Sequence, residues 1–420
     1  MKGREVIKNI LIILLSASAI ALALVAYLGP SGSDLPNLRT RGAALLGQEP
    51  YHLVFSEGDP AAAVAARPVR ISIMGAFGRA SVQRSFEDLD EAYERLGGLM
   101  GGALEEADPN SLAPVSQKEV QDLLEQNSIY FAYQGALPTR LLAHWLDVQT
   151  ELDETVSALA LILEERCTLL LWTQNGVQQA ALRNALDGAE LLGSYRPDGS
   201  AFAFERGEPP FTRVDPMSLA NLDNSVQVVG ASVVNPLQNR DSAAALVTGL
   251  GFNPYGNVYT SARGVTTYEE SAGTLSLTDQ GQLLLQNTDE EKPLLRALSP
   301  RLEDLADCAR TLLDTVSSPG DARLYLVSAR QEGDETVLEF EYFFCALPVY
   351  QASGPAATVR FQGQIVRELT VQLRSYTQSE QAISLLPELQ AAAILPRGSL
   401  LSVCYLDLGG DSLSMGWDRE

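Results

Sequence analysis

The hydrophobic pattern of the chain opens on its longest apolar run. Asn9–Leu28 holds no charged residue over 20 positions, and its only strongly polar members are Asn9, Ser16 and Ser18. A helix rises about 1.5 Å per residue, so such a run spans a hydrocarbon core of roughly 30 Å. The pattern predicts a membrane helix over 9–28, a tail over 1–8 and a linker over 29–50. Lys2, Arg4 and Lys8 precede the run against one acid, Glu5. Positive charge beside a membrane segment stays inside, which puts the tail in the cytoplasm and the remainder outside. A cleaved signal peptide would begin the same way, and Ala21-Leu22-Ala23 fits a small-residue cleavage pattern. Its apolar region is usually only about 7–15 residues, shorter than this run. Ala19, Ala23 and Ala26 recur at helical spacing and form a candidate contact face for a second membrane helix.

Beyond the linker the periods shorten and alternate. Val69–Met74 alternates as a strand does, whereas Phe86, Leu89, Tyr93, Leu96, Met100 and Leu104 recur every three or four positions, one face of a helix. Ser116 and Glu119 form a capping box ahead of Val120, Leu123 and Leu124. Ser128–Tyr133, Val156–Leu163 and Thr168–Thr173 predict strands; Thr139–Leu146 and Gly176–Leu186 predict helices. Gly207-Glu-Pro-Pro210 breaks the pattern. Domains are therefore expected over 51–208, 209–293 and 294–420. In the middle one, Asp241 is the expected cap of a helix over Ser242–Leu250, followed by strands Val265–Glu269, Thr274–Thr278 and Gln282–Gln286. The last one predicts a helix over Pro300–Val316 capped by Ser299, strands from Arg323 to Tyr376, a helix over Ser379–Ala392 and a strand over Leu400–Leu406. Thr274–Leu284 echoes Ala357–Val366, each turning at a glycine, Gly281 or Gly363, so two related helix-plus-sheet units are one reading of this half. The expected fold class is α+β: one N-terminal transmembrane helix, then two or three extracytoplasmic domains of mostly antiparallel sheet packed with helices.

Charge narrows the partners. The net charge is −23, and the first 28 residues contribute +2, so the expected exported part carries −25. A surface that acidic argues against nucleic acid and against docking on anionic headgroups. None of the four cysteines, Cys167, Cys308, Cys345 and Cys404, forms a C-x-x-C pair. Each sits in an apolar context, where a buried free thiol is expected. Should a disulfide form, Cys345–Cys404 is the pair to expect, since both lie in strand-like runs.

Chemistry-bearing motifs are scarce. His52 and His144 are the only histidines, and His144 lies among Leu141, Leu142 and Trp145, the setting of a packed, hydrogen-bonded side chain. No G-x-S-x-G, S-x-x-K, P-loop or H-E-x-x-H occurs. Gly75–Gly78 and Gly97–Gly102 lack the spacing of a dinucleotide site. Acidic pairs such as Glu105-Glu106, Glu164-Glu165 and Glu269-Glu270 read as solvated faces in a chain with 53 acids. No catalytic residue, cofactor or metal ligand is assigned.

Several segments resemble the YycH/YycI family of membrane-anchored accessory regulators of WalK-type sensor histidine kinases. The basic start, single apolar run and large remainder match that layout. Ser128-Ile-Tyr-Phe-Ala-Tyr-Gln-Gly-Ala-Leu-Pro138 resembles the strand and proline turn of the longer member's N-terminal part. Leu250-Gly-Phe-Asn-Pro254, Tyr259 and Thr274–Leu284 resemble its middle domain. Phe340–Val349, Gln364–Tyr376 and Trp417 resemble the C-terminal domain of both members. The resemblance implies a non-enzymatic role: binding a sister single-pass accessory protein and the kinase, and biasing the kinase of a two-component system that governs cell-wall metabolism. Two other readings compete: an exported cell-wall hydrolase using a carboxylate pair, and an envelope binding or assembly module with no kinase.

Overall fold

The computed structural model describes residues 53–55, 64–65, 67–220, 225–291 and 293–417. The run Asn9–Leu28, the linker, His52 and the alanine face Ala19, Ala23 and Ala26 lie outside them. Leu53–Glu420 clusters as one compact unit.

Two short strands come first, β1 (Leu53–Phe55) and β2 (Val64–Ala65). β3 (Arg70–Gly75) and β4 (Gly78–Gln83) form a hairpin, and helix α1 (Phe86–Glu106) follows. After β5 (Ala113–Pro114) come α2 (Gln117–Leu124), β6 (Ser128–Pro138), α3 (Thr139–Trp145), β7 (Thr155–Ile162), β8 (Thr168–Thr173) and β9 (Gly176–Ala181). These strands make a seven-stranded sheet in the order β4-β3-β6-β7-β8-β9-β5. α1 lies on one face because Leu89, Leu96, Met100 and Leu104 recur on one side of it and are buried. Its glycines let the chain pass close. A Cβ on Gly97 would sit 3.2 Å from Leu146 Cδ2, and one on Gly101 3.3 Å from Val148 Cγ1. Contact at that range offsets the roughly 1 kcal/mol that each helical glycine costs.

The expected helix over Gly176–Leu186 is a strand, β9. Gln, Ala and Leu favour helix locally, but Gly176 at φ +109 closes a tight hairpin with β8, which pairs Leu170 with Gln179 and Leu169 with Ala180. A crossing segment of α4 (Ala189–Gly193), β10 (Ala201–Phe202), α5 (Ala203–Arg206) and β11 (Leu219–Ala220) then covers part of the sheet's second face.

The remaining elements are β12 (Ser225–Val233), α6 (Arg240–Gly249), β13 (Asn257–Thr260), β14 (Val265–Glu270), β15 (Gly273–Thr278), β16 (Gln282–Asn287), β17 (Leu295–Ala297), α7 (Leu302–Val316), β18 (Arg323–Glu332) and β19 (Glu335–Phe344). They continue through β20 (Leu347–Gln351), β21 (Ala357–Gln362), β22 (Ile365–Gln372), β23 (Arg374–Ser384), α8 (Glu388–Ile394), β24 (Val403–Asp407) and β25 (Ser414–Trp417). One 14-stranded sheet holds most of them. Its central order is β13-β14-β15-β16-β22-β21-β19, with β18 beside β19. That order is a palindrome of two units. A helix followed by four antiparallel strands, α6 with β13–β16, meets a second such set, α7 with β18, β19, β21 and β22. They join through their last strands, Leu285 opposite Leu369. The two echoing hairpins turn at Gly281 (φ +74) and Gly363 (φ +55).

The fold class therefore needs correcting. The described residues are mostly sheet, 42% against 25% helix, and their helices cover the faces of two large sheets. Strands assigned to the middle and C-terminal domains share one continuous ladder, in which Leu283 of β16 lies opposite Val371 of β22 and Leu285 opposite Leu369. No helix among the described residues is long and apolar enough to cross a membrane. The expected helix over Ser379–Ala392 also changes. Through Ser384 the chain is β23, held antiparallel to β12 from Ser225↔Ser384 to Val233↔Arg374, and only Glu388–Ile394 is helical. Two caps shift as well: Asn239 caps α6 through its Oδ1, and Ser299 lies ahead of Arg301, the residue before α7.

All four cysteines are free, with Cys167, Cys308 and Cys404 buried and Cys345 half-buried. Burial pushes the Cys308 thiol up to about 12. Alkylation without reductant should therefore leave the folded chain nearly unlabelled at pH 8 and add four adducts after unfolding; two adducts fewer would mean a disulfide.

Candidate docking groove

The second face of the seven-stranded sheet is half closed and half open. Near Leu124 it is closed by a buried ion pair. Arg79 donates through Nε to Glu205 Oε2 at 3.0 Å and through Nη2 to Oε1 at 2.6 Å. It also donates to Ser72 Oγ at 2.9 Å and to the Leu124 carbonyl at 2.8 Å, and its guanidinium stacks 4.3 Å from the Phe202 ring centre. These contacts seal an apolar cluster of Val120, Leu124, Tyr130, Ala160, Leu170 and Phe202.

Toward the other end the cover stops and a cavity of about 620 Å³ opens. Its floor is the sheet itself. Arg70 and Ala132 are cross-strand partners on β3 and β6, so they share that face with Tyr130, two residues back along β6. Trp172 of β8 completes the floor, its ring edge-on to Tyr130 with centres 5.2 Å apart. Gln117 and Gln121, one turn apart on α2, line one wall. Asp215 and Met217 line the other, where Asp215 Oδ1 accepts the Met217 amide at 2.7 Å. Burial pushes the Tyr130 phenol up to about 12, with Arg70 pulling it down and Asp215 adding to the rise. At neutral pH this lobe is therefore uncharged aromatic surface with one cation and one anion at its margin.

A second cavity of about 990 Å³ adjoins it. Gln134 of the first lobe donates to the Tyr350 hydroxyl of the second at 3.0 Å. The second lobe is lined by Leu386, Ile394, Leu406, Met415 and Trp417, with no ionisable side chain except Tyr350 and Cys404. Its shape rests on two fixed points. Trp417 Nε1 donates to the Leu386 carbonyl at 3.0 Å, and Arg213 Nη1 donates to the Ala393 carbonyl at the end of α8 at 2.8 Å. Apolar side chains of its lining stand open: Ile394 is 66% exposed and Leu386 48%. A contiguous apolar surface of this kind on a strongly acidic chain marks a place where something else packs.

The sequence-derived candidates fall elsewhere. His144 Nε2 lies 2.8 Å from Asp307 Oδ2, and Trp145 Nε1 donates to Asp307 Oδ1 at 3.2 Å, so that histidine ties α3 to α7. Glu105, Glu164, Glu165 and Glu269 are exposed and line neither lobe. Among the described residues no cluster of His, Cys, Asp and Glu could hold a metal ion. The groove itself was missed, because its walls come from segments nearly 300 residues apart in sequence. Trp417 was noticed only for its resemblance. The one local signal is the run of aliphatics over 385–394, most of which falls inside the helix expected over Ser379–Ala392. Comparison with protein-family models, with curated proteins and with solved structures gives no match.

Proposed function

We propose that this chain is a non-enzymatic regulatory protein acting outside the cytoplasm at the cell membrane, where it binds a sensor histidine kinase and a sister accessory protein and biases the kinase's signalling state. The observation that carries the reading is the apolar lobe around Ile394, Leu406 and Trp417, which offers a protein segment a greasy seat on an otherwise acidic surface. The resemblance of Phe340–Val349 and Trp417 to the shared domain of the YycH/YycI regulators supports the choice of partner. The uncharged run Asn9–Leu28 behind Lys2, Arg4 and Lys8 supports the location. The occupant is an extended apolar segment of the partner, its side chains filling the lobe between β25 and α8.

A photo-crosslinking amino acid at Leu386, an exposed residue of the lobe's lining, in the full chain in its native membranes, tests this. The expected adduct contains a sensor histidine kinase or the sister accessory protein. Ile394→Glu and Leu406→Glu should each cut its yield about tenfold, as loss of one central apolar contact does. An adduct containing neither protein, or yields unchanged by both substitutions, would overturn the proposal.

A further inference from the structure

The 14-stranded sheet ends at β13, and that end is bare. All four of its residues are exposed, Tyr259 at 55%. Sheet edges are normally blunted by charge, proline, bulges or a covering segment, since a row of unpaired amides templates another strand. Among the described residues β13 has none of these. No charged side chain occurs from Gly251 to Ala262, although the chain carries 83 charged residues.

The palindrome supplies an internal comparison. The strand in the matching place of the second unit is β18, and it is protected three ways. It carries Arg323, Arg330 and Glu332, it has a bulge between Leu326 and Ser328, and β2 pairs with it at Leu324 and Tyr325. The fold thus covers one of its two equivalent edges and leaves the other open.

The backbone phase says what could pair there. The Ser261 amide donates to the Val265 carbonyl, so residues 257, 259 and 261 turn their amides toward β14. Val258 and Thr260 consequently turn their N–H and C=O groups outward. Charge says which strand. Arg263 stands in the turn at one end of β13 and has no ion pair among the described residues, while Glu269 and Glu270 stand at the other end. An antiparallel partner of the same sequence brings the basic end of each copy to the acidic end of the other.

We propose that β13 is a self-association edge. Two copies pair their β13 strands antiparallel about a two-fold axis at Tyr259, with Val258 hydrogen-bonded to Thr260 of the partner subunit. Tyr259 then faces its own equivalent across a non-hydrogen-bonded pair, where the Cβ atoms come within about 4.5–5.5 Å. Four residues a side make a small contact, so the dimer is weak and builds with concentration.

Cysteine scanning in the full chain tests the register. Tyr259→Cys should form an interchain disulfide under mild oxidation, since its Cβ atoms lie within disulfide reach. Thr260→Cys, which faces Val258 of the partner subunit, should cross-link at least tenfold less. Sedimentation over a concentration series should show a dimer in the unmodified chain and only monomer in Val258→Lys, whose exposed side chain leaves the thermal melt unchanged. Failure of Tyr259→Cys to cross-link, equal cross-linking by Thr260→Cys, or a dimer that survives Val258→Lys would each overturn the proposal.

Discussion

Replacing Asp407 by alanine should cost the fold about 3–5 kcal/mol, read as a lowered urea midpoint at pH 7. Asp407 is 4% exposed and accepts four hydrogen bonds from three residues. Arg374 donates to it through Nε at 2.7 Å and Nη2 at 2.9 Å, the Tyr376 hydroxyl donates at 2.8 Å, and the Gly409 amide at 2.9 Å. The carboxylate thereby pins β23 to β24 and to the loop leading into β25. Without it the Arg374 guanidinium stays buried, and among the described residues the Gly410 carbonyl, at 3.1 Å, is the one acceptor left to it. The cost is that of a stranded charge, more than that of a lost attraction. Removing both charges, Arg374→Met with Asp407→Leu, should recover most of the loss. A double variant as unstable as the single one would show that the amide and hydroxyl bonds, and not the charge, carry the stability.

Gly135→Ala should be comparably severe, again about 3–5 kcal/mol, through a different cause. Gly135 lies in the irregular part of β6, at φ +87, where β6 runs against β18 of the other sheet. A Cβ placed there would be 2.0 Å from the Val327 carbonyl oxygen, a distance no packing allows. Backbone, not a flexible side chain, must move. Gly176→Ala is the control, because Gly176 has φ +109 and nothing within 4 Å of an added Cβ. It should cost only the left-handed backbone penalty, about 1–2 kcal/mol. The difference between the two measures how tightly the sheets are docked. Equal losses would mean that the contact between them yields.

The elements most visible in the sequence were those whose stabilisation is local. α1 announced itself through Leu89, Leu96 and Met100, and α2 through Ser116 and Glu119, whose box is formed in both directions. The hairpins of β14–β16 and β21–β22 were legible from alternation and from Gly281 and Gly363. Long-range pairing overrode local preference where the reading failed. Gln178, Gln179 and Ala180 favour a helix alone, but adopt β9 because β8 is there to receive them. Ser379 and Glu380 look like a helix start, but they fall in an irregularity of β23 whose flanks, Gln378 and Ala382, pair with Val229 and Gln227 of β12 some 150 residues upstream. The pairing of β16 with β22 was equally hidden, since nothing in β16 names β22 as its neighbour. The groove was the least legible feature. Arg70, Trp172, Asp215 and Trp417 each look unremarkable in sequence, and only the crossing of segments over the sheet gathers them.

The β12–β23 pair carries a consequence for how the chain reaches this structure. β12 comes just before the two mirrored units, and β23 comes directly after β22. Their pairing closes a loop of roughly 140 residues at its inner end, Val233↔Arg374. Closing so long a loop carries a large entropic penalty while its interior is unfolded. The meanders inside it need only short loops and gain their contacts early. The ribbon should therefore zip last, after both units have folded and joined. Amide exchange during refolding should protect Leu275 and Val359 before Ser232, which lies opposite Ser375 and shares the phase of the Val234 amide that donates to the Leu373 carbonyl, and refolding that is slow only in the β12 and β23 amides would be its kinetic signature.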